Sequence, residues 1–150
     1  MLKGKRAVIN GGTTGIGAAT VKLFAQNHAI VVFTGRNSEA GRALEQEILS
    51  VVPGCDVRYI QADVSKEDDM KNLADYMKRE LGGCEILFNN AGIHLAGRLL
   101  ETSPQEFDRI MSIDCRGVYL ACYNADDVYL YRKYCRCSTS VCNRTKKGSK

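Results

Sequence analysis

The segment Arg6-Ala7-Val8-Ile9-Asn10-Gly11-Gly12-Thr13-Thr14-Gly15-Ile16-Gly17 constrains the fold more than any other part of the chain. Its apolar start reads as a short buried strand, and glycines follow at once. Ile16, Ala19, Thr20, Leu23 and Phe24 then recur at helical spacing, with Asn27 and His28 near a helix end. Glycine at such a junction permits a tight turn and lets the backbone approach a ligand closely.

The same alternation continues downstream. Ile30 to Phe33 is a second strand, continuously apolar as expected when both sheet faces are covered. Ser38 to Leu49 is helix-compatible until Pro53-Gly54 stops it. Asp56 to Gln61 is a third strand. Ser65 can cap a helix with the stripe Met70, Leu73, Ala74, Met77, Leu81, which Gly82-Gly83 ends. Glu85 to Asn89 is a fourth strand. Ser103-Pro104-Gln105-Glu106 is a capping box with proline at the first helical position, and its helix carries Phe107, Ile110, Met111, Val118 and Ala121 on one face. Four strand–helix repeats with right-handed crossovers make an α/β fold: a parallel sheet with helices on both sides.

Composition separates the end of the chain from the rest. Residues 123–150 hold seven basic residues against two acids, a charge of +5, whereas 1–122 hold 14 against 15. Four of the seven tyrosines and three of the seven cysteines also fall in those 28 residues. We therefore read 1–122 as a domain and 123–150 as a basic Cys/Tyr-rich tail that buries little apolar area against its ordering entropy. At 45% hydrophobic and 25% charged, the chain suits a globular protein. No apolar run approaches a membrane span, and no leader is visible before the first strand. The expected location is cytoplasmic, with cysteines reduced.

Placed after a strand and before a helix, the glycine turn points to a nucleotide: amides at the helix start, with the positive end of the dipole behind them, suit a pyrophosphate. An ordinary tight connection is the alternative. At the end of the second strand, where dinucleotide folds commonly place an acid for the ribose hydroxyl, the chain reads Thr34-Gly35-Arg36-Asn37. Arginine offers a charged fork to a 2′-phosphate, which favours NADP over NAD. Arg36 as a solvated loop residue is the alternative.

Taken together, Gly11-x-x-x-Gly15-x-Gly17, Thr34-Gly35-Arg36, Ala62-Asp63-Val64 and Asn89-Asn90-Ala91-Gly92 resemble the N-terminal half of short-chain dehydrogenases/reductases over about residues 3–122. Asp108-Arg109 and Arg116-Gly117-Val118-Tyr119-Leu120 fit the same pattern. The resemblance implies a Rossmann-like, doubly wound parallel sheet, incomplete after the fourth strand. It implies that Gly11, Thr13, Thr14, Gly15, Ile16 and Gly17 surround the cofactor phosphates and Arg36 the 2′-phosphate. Asp63 would accept from the adenine amino group, with the Val64 N–H at the ring, and Asn90, Ala91 and Gly92 would floor the groove. It also implies a homo-oligomer that moves a hydride between NADP, or NAD, and a small carbonyl or alcohol substrate.

Two residues depart from the pattern. Asn10 stands where the family usually has threonine, and Asp114 stands at the family's catalytic asparagine. That asparagine helps hold a water in the proton relay, whereas an aspartate accepts but does not donate as an amide does. A helix-interior aspartate at a partly wet edge is the alternative.

The family's serine, tyrosine and lysine do not appear in place after Ala121-Cys122. Tyr129 and Lys133 have the Tyr-x-x-x-Lys spacing but follow Asp114 too closely for an intervening strand. Cys135, Cys137 and Cys142 lack the paired spacing of structural zinc, so no metal is expected. His28 reads as an exposed helix-end residue and His94 as a loop residue. The expected activity of these 150 residues is negligible turnover, with a fourth strand exposed as an apolar edge prone to self-association. A non-catalytic dinucleotide-binding protein is the rival reading. The basic tail is read as solvated, not as a nucleic-acid contact.

Overall fold

The computed structural model describes residues 2–94 and 99–125. The Tyr129–Lys133 pair, Cys135, Cys137, Cys142 and nearly all of the basic tail lie outside the described residues. Four parallel strands form one sheet: β1 (Arg6–Asn10), β2 (Ile30–Gly35), β3 (Asp56–Gln61) and β4 (Ile86–Asn89), in the order β3-β2-β1-β4. Helices α1 (Gly15–Gln26), α2 (Ser38–Val51) and α3 (Glu67–Leu81) connect them. After β4 come a short 3₁₀ turn (Leu99–Glu101), α4 (Pro104–Ile110), a π-helical turn (Met111–Arg116) and α5 (Gly117–Asn124).

Alternation along the strands divides the interior in two. Ile9, Val31 and Phe33 point to one face, where they pack with Val21 and Ala25 of α1 and Leu44 and Ile48 of α2. Val8 and Val32 point to the other, against Met70, Leu73 and Met77 of α3 and Ile113, Leu120 and Ala121. Both faces of β2 are therefore covered, which is why its sequence is apolar without interruption. The sheet is doubly wound, with β4 at an edge among the described residues.

The connections stop where local chemistry stops them. His28, at φ 56°, closes α1: its amide donates to Ala25 and the Ala29 amide to Phe24, and the imidazole is left exposed. At the far end of β1, Arg6 donates through its backbone N and Nε to Glu85 Oε2, both at 2.8 Å, and through Nη1 to the Leu81 carbonyl. This clamp joins β1, the end of α3 and the entry to β4.

Two local expectations change. Ser65 does not cap α3; its N–H and hydroxyl both donate to Asp63 Oδ1, and Lys66 takes the cap position. The helix after Ser103 does open with the capping box, but its buried face is Ile113, Gly117, Leu120 and Ala121, while Phe107 and Met111 are exposed. The wide turn from Met111 to Arg116 shifts the helical phase, so a stripe extrapolated from Phe107 at α spacing comes out on the wrong side. This helix passes without a break through residue 122, where the composition changes.

Candidate functional site

In a parallel sheet the carboxyl ends of the strands lie on one side, and a crevice opens where the winding direction reverses. Here the reversal falls between β1 and β4. A cleft of about 210 Å³ lies along the carboxyl ends of the four strands. The turn after β1 supplies Gly11, Thr13 and Thr14; the end of β2 supplies Thr34, Gly35 and Arg36; the end of β3 supplies Ala62, Asp63 and Val64. Asn90, Ala91, Gly92 and Ile93 after β4 and Ile113 of the π-helical turn complete it. Nine of the twelve residues expected to meet a cofactor line this cleft.

The other three, Gly15, Ile16 and Gly17, begin α1 and lie beside it. Thr14 precedes the helix in an extended conformation and its side chain makes no cap, nor does the first turn carry an acid. The first amides of α1 therefore keep their positive end open to an anion. Ile16 is 74% exposed. Gly17 packs against the Gly11 carbonyl and Asn90 Nδ2, where a Cβ would clash outright. Gly11 itself adopts φ 74°, and a side chain there would lie 2.6 Å from the Ala91 Cα. Two glycines thus let the turn, α1 and the segment after β4 come into direct contact.

Asn10 closes the underside of this turn. It is 1% exposed, and its side chain accepts from Thr34 Oγ1 and donates to Asn89 Oδ1, both at 2.9 Å. Asn89 Nδ2 in turn faces Cys122 Sγ at 3.7 Å. Hydrogen bonds hold the turn from either side: Gly12 N–H donates to the Thr34 carbonyl, Asn90 N–H to the Asn10 carbonyl, and the Asn90 side-chain Nδ2 to the Gly11 carbonyl.

The charges are arranged with acid and base at neighbouring strand ends. Burial works to raise the Asp63 carboxyl, but hydrogen bonds from Ser65 and the charges of Arg36 and Lys66 outweigh it and hold the group below the usual carboxylate range. Asp63 is therefore an ionised acceptor at neutral pH. The Arg36 side chain is exposed and makes no hydrogen bond or ion pair among the described residues; its carbonyl accepts from Gln61 Nε2. Asp114 is half-buried in the π-helical turn, and its Oδ1 accepts from Ile93 N at 2.9 Å. It stands behind the wall made by Gly92 and Ile93. Nearby, Gly117 lets the helix approach Val64, and Arg116 donates to the Ser65 carbonyl at 2.6 Å.

Ile93 and Ile113 are cleft residues that the motifs do not mark, and Thr34 lies in a motif that gives it no role. Thr34 could have been suspected as the polar residue ending an apolar strand; Ile113 carried no signal. His94 is exposed and does not line the cleft. Among the described residues no group of His, Cys, Asp and Glu is placed to hold a metal ion. None of their helices is long and apolar enough to cross a membrane.

This geometry has counterparts among known proteins. A family model described as "short chain dehydrogenase" matches residues 5–133. "Tropinone reductase-like 1" of Erythroxylum coca is 39% identical over 144 residues, covering 93% of this chain and 51% of that protein. "Short chain aldehyde dehydrogenase 1" of Euphorbia lathyris is 40% identical over 134 residues, covering 88% and 46%. The crystal structure of a metagenomic short-chain oxidoreductase in complex with NADP superposes with a TM-score of 0.78 at 31% identity, over 85% of this chain and 57% of that one. The chain spans about half the length of the curated relatives it matches. On its sheet, its strand-end motifs and the match from residue 5 to 133, the chain belongs to the short-chain dehydrogenase/reductase family of oxidoreductases.

Proposed function

We propose that this chain binds NADP(H) in the cleft at the strand ends, as the cofactor half of an oxidoreductase acting on a small carbonyl or alcohol. The observation that carries the proposal is the convergence of four separate strand ends on one cleft with an uncapped helix N-terminus beside it. The cradle fits a dinucleotide: the contact made at Gly11 and Gly17 brings backbone, not side chains, to the place a diphosphate needs. Asp63 accepts from the adenine amino group. Arg36, uncommitted among the described residues and with no acid in the Thr34–Asn37 stretch, meets a 2′-phosphate. A relative in complex with NADP supports the choice of cofactor, and NAD is the weaker ligand.

The nicotinamide supplies the hydride chemistry when bound. The chain's own part is to hold and orient: Asp114, at the catalytic-asparagine position by resemblance, keeps its carboxylate on the Ile93 amide and so fixes the wall of the cleft. The 150 residues carry no serine, tyrosine and lysine at the family's positions for proton transfer. Missing a positioned acid/base costs about 10²–10⁴-fold, so these residues alone turn over negligibly. Calorimetric titration of the 150-residue chain should give a tighter fit for NADPH than for NADH, with no steady NADPH oxidation across a panel of ketones. No heat from either nucleotide with a folded sample would reject the binding proposal, and steady oxidation would reject the statement about turnover.

A further inference from the structure

Asn10 sits where three strands end side by side. Its Cα is in register with Thr34 of β2 and with Asn89 of β4, and its side chain bonds to both. The donors run one way: the Thr34 hydroxyl to Asn10 Oδ1, then Asn10 Nδ2 to Asn89 Oδ1, then Asn89 Nδ2 to Cys122. Thr34 is fully buried and Asn10 nearly so, so water is not an alternative partner for either.

The same residues hold the glycine turn through their backbones. Thr34 takes the Gly12 amide on one side, and Asn10 takes the Asn90 amide on the other. The separation of these two clamps is set by whatever spans β2 to β4 beneath the turn. An asparagine spans it with oxygen and nitrogen on separate atoms. A hydroxyl residue must serve both neighbours with one oxygen.

We propose that Asn10 is a positioning residue for the diphosphate: it never touches the nucleotide, but fixes the gap across which the Gly11–Gly17 turn is strung. This rests on the nucleotide-binding reading above. It predicts a loss specific to ligands that carry a diphosphate, because the adenosine end is held at Arg36 and Asp63, just past β2 and β3.

The test uses the full chain and two ligands, NADPH and adenosine 2′-monophosphate, which lacks the diphosphate. Asn10→Leu keeps the number and branching of the side-chain heavy atoms and removes both hydrogen bonds without adding charge. It should weaken NADPH about tenfold to a hundredfold while adenosine 2′-monophosphate changes less than about twofold. Asn10→Thr should recover most of the NADPH affinity. If Asn10→Leu does not fold by circular dichroism, Thr34→Val, which removes one of the two bonds, carries the comparison, with a smaller loss of the same selectivity. Equal weakening of both ligands, or of neither, overturns the inference while leaving the nucleotide reading intact. A folded wild-type chain that binds neither ligand overturns both.

Discussion

The amide of Ile93 donates to Asp114 Oδ1 at 2.9 Å, tying the segment after β4 to a π-helical turn twenty-one residues further on. An acid at this point does what any carbonyl-type acceptor could do, since the donor is a backbone N–H. The segment it holds, Asn90 to Ile93, forms one wall of the cleft.

Asp114→Asn should therefore be nearly silent in binding, and Asp114→Ala should not. The amide keeps an acceptor for Ile93, whereas alanine leaves a half-buried N–H without its partner. Fluorescence titration with NADPH should show less than about a twofold change for the first and about a three- to tenfold loss for the second. Equal effects would mean that the carboxylate's charge matters and its hydrogen bond does not.

Arg36 separates the two nucleotides. Its replacement by alanine should weaken NADPH about tenfold to a hundredfold, the range for a charge-assisted pair, and leave NADH nearly unchanged. A parallel loss for both would assign Arg36 to the loop and not to the 2′-phosphate.

Gly17 tests the contact between α1 and the turn. A methyl group there runs into the Gly11 carbonyl and the Asn90 side chain, which are themselves fixed by hydrogen bonds. Gly17→Ala should cost about 1–3 kcal/mol of stability and abolish measurable NADPH binding. Thermal melts and titration check it together, and a variant with wild-type melting and affinity would show that the turn relaxes freely.

Glu85 gives the fold a pH dependence. The side-chain hydrogen bond from Arg6 holds its carboxyl below the ordinary 4.5, against the opposing effect of burial. A depressed carboxyl stabilises the folded state above its unfolded pKa, and that contribution is lost as pH falls through the folded value. Glu85→Gln should melt a few degrees lower than wild type at pH 7. The gap should shrink as pH drops below about 4.5. A gap that stays constant with pH would exclude the ion pair as its source.

Much of the site was legible because each of its parts follows a strand. Gly11, Arg36, Asp63 and Asn90 all stand just past an apolar run, and a parallel sheet brings every such position to the same edge. The two-sided core was legible in the unbroken apolar run of β2. What could not be read depends on partners distant in sequence. Asn10 meets Thr34 24 residues on and Asn89 79 residues on, and nothing local marks those pairings. Ser65 looks like a cap in the sequence, but Asp63 two residues earlier captures its hydroxyl. The face of the last helix was misjudged because 3.6-residue counting assumes that the winding never changes, and between Met111 and Arg116 it does.

That change of winding gives the helix slack that a regular one lacks. The six residues of the wide turn advance by about 500°, the angle that five residues cover at ordinary α spacing. Removing one residue between Met111 and Arg116 would let the coil close evenly, with Leu120 and Ala121 still facing inward and the stacked pair Tyr119 and Tyr123 still outside. The same deletion after Gly117 finds no such slack and turns everything beyond it by roughly a quarter of a revolution, so the oily side is forgiving of a shortened chain at one point of this helix and unforgiving past it.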